Sequence, residues 1–238
     1  MNAIPGAARF ESKYLIDLPL YYRLRTALMG WCRLDDHSRV SASNRYLVRS
    51  LYFDTQNFDA YVEKIHGVCN RNKLRFRTYF RTYGETKFLK VEQKQRIGQF
   101  ISKKVSTIDV KQYDQFMATG CFSVDDPKLH DFERIVHLRH QKPVTLVEYD
   151  REAWFLKSNS NVRLSFDHDV RYAESDTLFL TDPSLFKRDL SRQIVLEIKA
   201  DRDDHQFTTF LVRSFNLKSV PNSKFTNAIE QTRNDLWL

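Results

Sequence analysis

The chain has 238 residues, 42% of them hydrophobic, and carries 38 Lys and Arg against 30 Asp and Glu, a formal net charge of +8. That length and apolar content suit one large domain, expected over residues 1–238, and the positive excess points to an anionic partner: nucleic acid, an acidic membrane surface or a phosphorylated small molecule. Cys32, Cys69 and Cys121 are odd in number, far apart and without a C-x-x-C pair, which suggests neither a disulfide framework nor a structural zinc site.

A reducing cytoplasm fits that cysteine usage, and no segment approaches the roughly 18 consecutive apolar residues of a membrane span, so the chain reads as soluble and without a leader. In chain order, "RFESKYLI" reads as a strand. "PLYYRLRTALMGWC" reads as an amphipathic helix opened by Pro19, with Tyr22, Leu24, Leu28 and Trp31 available for burial. The polar "RLDDHSRVSASNR" leads to a strand at "YLVRSLYFDT", a short helical turn over "QNFDAYVEK" and a loop around Gly67. "KLRFRTYFR", "KFLKVEQKQR" and "GQFISKKVST" alternate like an antiparallel meander.

Two helices follow: "DVKQYDQFMATG", stopped by Gly120, and "DPKLHDFERIVHLRHQ", opened by Asp126 and Pro127. Strands return at "VTLVEYDREAWFL", "NVRLSFDHDVRYA" and "QIVLEIKA". A helix over about Asp203 to Leu217 and a last segment "FTNAIEQTRNDLWL" close the chain. The architecture expected is α+β, with about eight antiparallel strands.

Strand alternation gives most of these runs one apolar and one ionic face. The ionic face collects Lys13, Lys73, Arg75, Arg77, Lys90, Lys94, Lys104, Arg151, Arg163 and Lys199 against only Glu11, Glu92, Asp167 and Glu197. A solvated sheet face usually mixes its signs, because like charges opposed on neighbouring strands are destabilising. If the sheet curls so that these faces converge, an eight-stranded barrel with helices packed outside has a basic lumen wide enough for one small ligand. A polyanion would relieve its self-repulsion.

The segments "RFESKY", "RSLYFDT", "KLRFRTY", "KVEQK", "VEYDREAW", "VRLSFDHDV", "VLEIKA" and "NSKFTNAI", in that order over residues 9–229, resemble the VTC-type polyphosphate polymerase domain of the triphosphate tunnel metalloenzyme (CYTH-like) superfamily. The resemblance implies an eight-stranded antiparallel tunnel that binds a triphosphate or polyphosphate with Lys and Arg. It implies phosphate contacts for Lys13, Lys73, Arg75, Arg77, Lys90, Lys94, Lys104, Arg151, Arg163, Lys199 and Lys224, with hydroxyl donors from Tyr149 and Ser165. Catalysis would rest on Arg75, Arg77, Lys94 and Glu197. Glu197, joined by Glu11 and Glu92, would hold Mn2+ or Mg2+.

Where the hydrolytic and cyclase branch reads Glu-x-Glu-x-Lys, this chain has Arg9-Phe10-Glu11-Ser12-Lys13, which removes one metal ligand and favours the polymerase-like branch. The activity implied is transfer of the ATP γ-phosphate onto inorganic polyphosphate, with a separate membrane partner protein for any coupling to a bilayer. The rivals are a metal-dependent tripolyphosphatase or nucleoside triphosphatase, and a non-catalytic polyphosphate or nucleotide sensor. Nucleic acid is disfavoured, because Phe76 lies on the face opposite Arg75 and Arg77 and cannot stack a base held by them, although Tyr79 does share their face.

Overall fold

The alternating runs fold as strands and the capped amphipathic runs as helices in a computed structural model that describes residues 10–98, 100–189, 191, 193–201 and 205–233. The strands are β1 (Phe10–Ile16), β2 (Cys32–Leu34), β3 (Tyr46–Asp54), β4 (Arg71–Thr78), β5 (Leu89–Ile97), β6 (Phe100–Ile108), β7 (Lys142–Leu156), β8 (Arg163–Glu174), β9 (Lys187–Arg188) and β10 (Ile194–Ala200). The helices are α1 (Leu18–Trp31), α2 (Asp36–Val40), α3 (Asp59–Ile65), α4 (Val110–Thr119), α5 (Pro127–Leu138), α6 (His205–Ser214) and α7 (Lys224–Thr232). The expected α+β class holds. Eight strands follow the order β1-β10-β8-β7-β3-β4-β5-β6, with the short β2 and β9 added beside β7 and β8.

The chain divides into two compact units. The first comprises Met1–Tyr46, Tyr149–Val170 and Asp189–Asn222, and the second Leu47–Glu148, Arg171–Arg188 and Ser223–Leu238. In the first unit β1 pairs antiparallel with β10 and β10 with β8, in register Lys13↔Glu197 and Glu197↔Ser165. The same pairing aligns Tyr14 with Leu196 and Leu196 with Phe166, so one face is mostly apolar. Asp17 caps α1 by accepting from the Leu20 N–H at 2.9 Å. Tyr21, Leu24 and Leu28, spaced three and four apart, pack that helix onto the apolar face. Tyr22 and Trp31, expected inside, lie 57% and 56% exposed, because the buried stripe runs through Tyr21 instead.

In the second unit β3, β4, β5 and β6 pair antiparallel in sequence. Leu51, Phe53, Leu74, Phe76 and Val91 share one face and pack with Tyr113 and Phe116 of α4 and Leu129, Phe132 and Ile135 of α5. Phe76 lies edge-on to Phe53 and Phe116, with centroids 5.1 and 5.2 Å away. Burying each such side chain contributes about 1.5–3 kcal/mol. Asp109 and Asp126 cap α4 and α5, and Gly120 ends α4 at φ +76°, as the sequence suggests. Asp54 is fully buried and accepts from the N–H groups of Thr55, Ala60 and Tyr61 at 2.8, 2.8 and 3.1 Å, pinning the start of α3 to the end of β3.

Buried carboxylates interrupt the apolar side. Glu148 in the second unit meets Arg49, Arg81 and Arg171 at 2.5, 3.3 and 2.8 Å. Glu152 in the first accepts from Tyr21 Oη at 2.5 Å, Arg25 Nε at 2.9 Å and Trp154 Nε1 at 2.9 Å. Each buried charge is offset by donors close enough to replace lost hydration.

Candidate functional site

Opposite the apolar face of the second unit, alternation gathers Ser50, Tyr52, Lys73, Arg75, Arg77, Lys90, Glu92, Lys94 and Lys103. Like charges stand directly opposed across the strands at Lys73↔Lys94, Arg77↔Lys90 and Lys94↔Lys103. Among the described residues, the carboxylate set between these cations is Glu92. Glu92 Oε2 accepts from Arg75 Nε at 2.9 Å and Nη2 at 2.5 Å and lies 3.2 Å from Lys103 Nζ, while Oε1 is 3.6 Å from Arg77 Nη1. Burial works against ionisation of Glu92, but Arg75, Arg77 and Lys103 hold it well below the usual carboxylate range.

The remaining guanidinium nitrogen of Arg75, Nη1, donates to Tyr52 Oη at 2.7 Å, and Arg77 Nε donates to Ser50 Oγ at 3.2 Å. Burial alone would raise the Tyr52 phenol, yet Arg75, Arg77 and Lys224 draw it below its ordinary value. Lys73 Nζ donates to Ser223 Oγ at 3.1 Å and sits 4.7 Å from the Phe225 ring centroid, and Lys90 Nζ donates to Thr107 Oγ1 at 2.6 Å. Lys224 is half-buried at the first turn of α7.

Lys104 is a correction. It pairs with Gln93, on the helix-packed side, and its Nζ lies 2.7 Å from Asp131 of α5. The cation on the ionic face is its neighbour Lys103, because the register sets Lys103 opposite Lys94. Tyr52, Ser50 and Ser223 were also missed. Tyr52 is two residues before Asp54 in the quoted "RSLYFDT", and its parity with Ser50 marked the face.

The first unit has a second polar face with a different balance. Lys13, Arg151, Arg163 and Lys199 share it with Glu11, Glu197, Asp167 and Ser165. Arg151 makes a two-pronged bond to Asp167, 2.6 and 2.9 Å, reaches Glu197 at 3.5 Å and lies 5.2 Å from the Tyr149 ring centroid. Although burial opposes its charge, Asp167 and its other anionic neighbours raise its pKa further, so it is always cationic. Arg163 donates to Tyr46 Oη at 2.9 Å and approaches Asp35 at 3.4 Å. Lys13 donates to the Asn222 carbonyl at 3.0 Å and lies 3.4 Å from Glu11. The charge bias expected across all strands is therefore concentrated in the second unit, and the first is nearly neutral. Arg9, the departure from the branch motif, lies outside the described residues.

A divalent cation fits one pair of carboxylates better than the third. Lys199 Nζ sits 2.8 Å from Glu197 Oε1 and 3.9 Å from Glu11 Oε2, so two carboxylates already converge on one positive charge. Glu92 differs, with both oxygens committed to Arg75, Arg77 and Lys103. Among the described residues no three His, Cys, Asp or Glu side chains form a metal-holding group, so oxygen atoms from a phosphate would have to complete a coordination shell on Glu11 and Glu197.

Phe76 is fully buried and Tyr79 lies against Phe88, 6.3 Å between centroids, so neither forms an open stacking platform. Among the described residues no helix is long and apolar enough to cross a membrane.

Antiparallel strands that gather arginine and lysine on one face and bury the other against helices define an α+β protein with a cation-rich sheet face. The VTC domain family matches residues 8–233, and the chain belongs to it. No curated protein sequence matches the chain. Among solved structures, a protein of Bacillus halodurans named as a candidate adenylate cyclase superposes with TM-score 0.58 at 15% identity, covering 96% of this chain and 98% of that one, which shows a shared fold. A protein of Pyrococcus horikoshii (TM-score 0.49, 10% identity, 94% and 99% covered) and a Mimivirus capping enzyme triphosphatase (0.37, 10%, 88% and 89%) superpose too loosely to bear on it.

Proposed function

We propose that this chain is a phosphotransferase of the polyphosphate polymerase kind, which moves the γ-phosphate of ATP onto the end of a polyphosphate chain. The observation that carries the reading is the set of opposed like charges, Lys73↔Lys94, Arg77↔Lys90 and Lys94↔Lys103, gathered around the carboxylate of Glu92. Such pairs destabilise a sheet unless an anion lies over them. A chain of phosphates matches their number and sign.

Phosphoryl transfer asks for positioning and charge neutralisation more than for covalent chemistry. Arg75, held by Glu92 and Tyr52, is preorganised to meet phosphate oxygens, and Arg77 and Lys94 neutralise charge that develops on the transferred group. Lys73, Lys90, Lys103 and Lys224 bind the remaining phosphates. In the first unit Lys13, Arg151, Arg163 and Lys199 form a phosphate-contacting set of their own, with Tyr149 and Ser165 as hydroxyl donors. An ionised terminal oxygen of the polyphosphate attacks the γ-phosphorus, the bond to the bridging β–γ oxygen breaks, and that electron pair leaves on ADP. The attacking oxygen is already deprotonated at neutral pH, so no side chain has to act as base. Glu197 and Glu11 would hold Mn2+ or Mg2+, which supplies Lewis-acid neutralisation of phosphate oxygens.

Incubating the protein with ATP and Mn2+ and resolving the products tests the proposal. Long polymer together with ADP is expected. Orthophosphate without polymer would assign the site to hydrolysis, and tight triphosphate binding without turnover would assign it to sensing.

A further inference from the structure

The β5–β6 hairpin ends in apolar side chains that phosphate binding does not use. Ile97 and Phe100 oppose each other at the turn, and Ile101 follows; the three are 54%, 77% and 58% exposed. Gly98, at φ +58°, makes the turn, braced by the Arg96 Nε bond to its carbonyl at 2.8 Å and by its own N–H bond to Asn70 Oδ1 at 3.2 Å. Immediately behind the tip the register sets Arg71 opposite Arg96 and Lys94 opposite Lys103. From Gln93 to Lys104 the sequence has four cations and no carboxylate.

An apolar tip backed by a cationic collar matches the interface of an anionic bilayer. Aromatic and branched side chains gain by entering the boundary between headgroups and acyl chains, while lysine and arginine are drawn to acidic headgroups. A dissolved polyanion would engage the collar and leave Phe100 in water. We propose that the β5–β6 tip docks this protein reversibly onto an anionic lipid surface, through Ile97, Phe100 and Ile101 with Arg71 and Arg96 behind them.

Cosedimentation of the full chain with phosphatidylcholine vesicles, with and without about one third phosphatidylserine, tests this. Wild-type protein is expected to bind only the anionic vesicles, less at high salt, and the Phe100→Ser/Ile101→Ser variant to lose at least about tenfold in affinity. The variant should keep its thermal shift with tripolyphosphate, since neither residue lies in the phosphate-binding set; that arm separates failure of docking from failure of the proposed function. Absence of vesicle binding by the wild type, or equal binding by the variant, overturns the proposal. So does self-association without lipid that the variant abolishes, which would give the tip to a second copy of the chain.

Discussion

Glu92 holds Arg75 by two nitrogens on one carboxylate oxygen, at 2.9 and 2.5 Å, and so turns the third toward Tyr52. The carboxylate is buried, its side chain 5% exposed, and it is shared with Arg77 and Lys103. It is the anchor that lets several cations coexist on adjacent strands. Glu92→Gln should therefore destabilise the fold by about 3–5 kcal/mol, because removing one partner leaves buried charge uncompensated. Thermal melts should show saturating tripolyphosphate restoring part of the loss, since the anion replaces the missing charge.

Arg75→Ala/Arg77→Ala removes the two guanidinium groups at the centre of the face. Wild-type protein at about a hundredfold the dissociation constant of tripolyphosphate gains about 2.7 kcal/mol from ligand linkage. The double variant should show almost none of that shift. A full shift would place the anion elsewhere.

The neighbours Lys103 and Lys104 separate the register from the bare sequence. Lys103→Ala should weaken tripolyphosphate binding by about five- to tenfold, the order expected for one charge-assisted contact. Lys104→Ala should leave binding unchanged and cost only ~0.2–1 kcal/mol, the worth of a partly exposed ion pair with Asp131. Titration calorimetry of both variants decides it.

His168 sets a pH dependence in the first unit. Burial, with Arg45 beside it, lowers its pKa from 6.5 to about 4. Its Nε2 is buried without a hydrogen-bond partner, 3.9 Å from a Glu152 carboxylate already satisfied by Tyr21, Arg25 and Trp154. The folded state thus refuses a proton that the unfolded chain accepts. Stability from this group is intact above pH ~6.5 and declines by about 3 kcal/mol as pH falls to ~4. Denaturant unfolding across that range should show a shallower acid-side decline in His168→Phe, which keeps the ring contacts with Tyr21 and Phe166.

Glu197→Gln tests the proposed metal-holding pair Glu11 and Glu197. The substitution keeps the side-chain shape beside Lys199 and Arg151 but removes the charge a divalent cation requires. Mn2+ dependence of turnover should disappear, while tripolyphosphate still raises the melting temperature. Unaltered Mn2+ dependence would remove Glu197 from the ligand set.

Much of the architecture was legible from residue order alone. Alternation in "KLRFRTYFR" and "KVEQK" separates the core face from the ionic one, since a strand has no other way to place Leu74 and Phe76 together away from Arg75 and Arg77. Aspartates and Gly120 mark helix ends because backbone groups there need partners or a left-handed turn. Residue order also carried the resemblance to the VTC family. Pairing register and helix rotation were decided only in three dimensions. In the doublet Lys103-Lys104 the sequence pattern put Lys104 on the ionic face, and the hydrogen-bonded alignment of β6 with β5 chose Lys103. In α1 the sequence pattern pointed to Tyr22 for the buried stripe, and packing against Phe166 and Glu152 chose Tyr21. Nothing in residue order marks Glu148 and Glu152 as buried; Arg49 and Arg81 reach the one, and Tyr21 and Arg25 the other, from far away in the chain. Local patterns report which faces exist, because they depend on the geometry of one strand or helix; which side chains meet depends on partners that only the folded chain brings together.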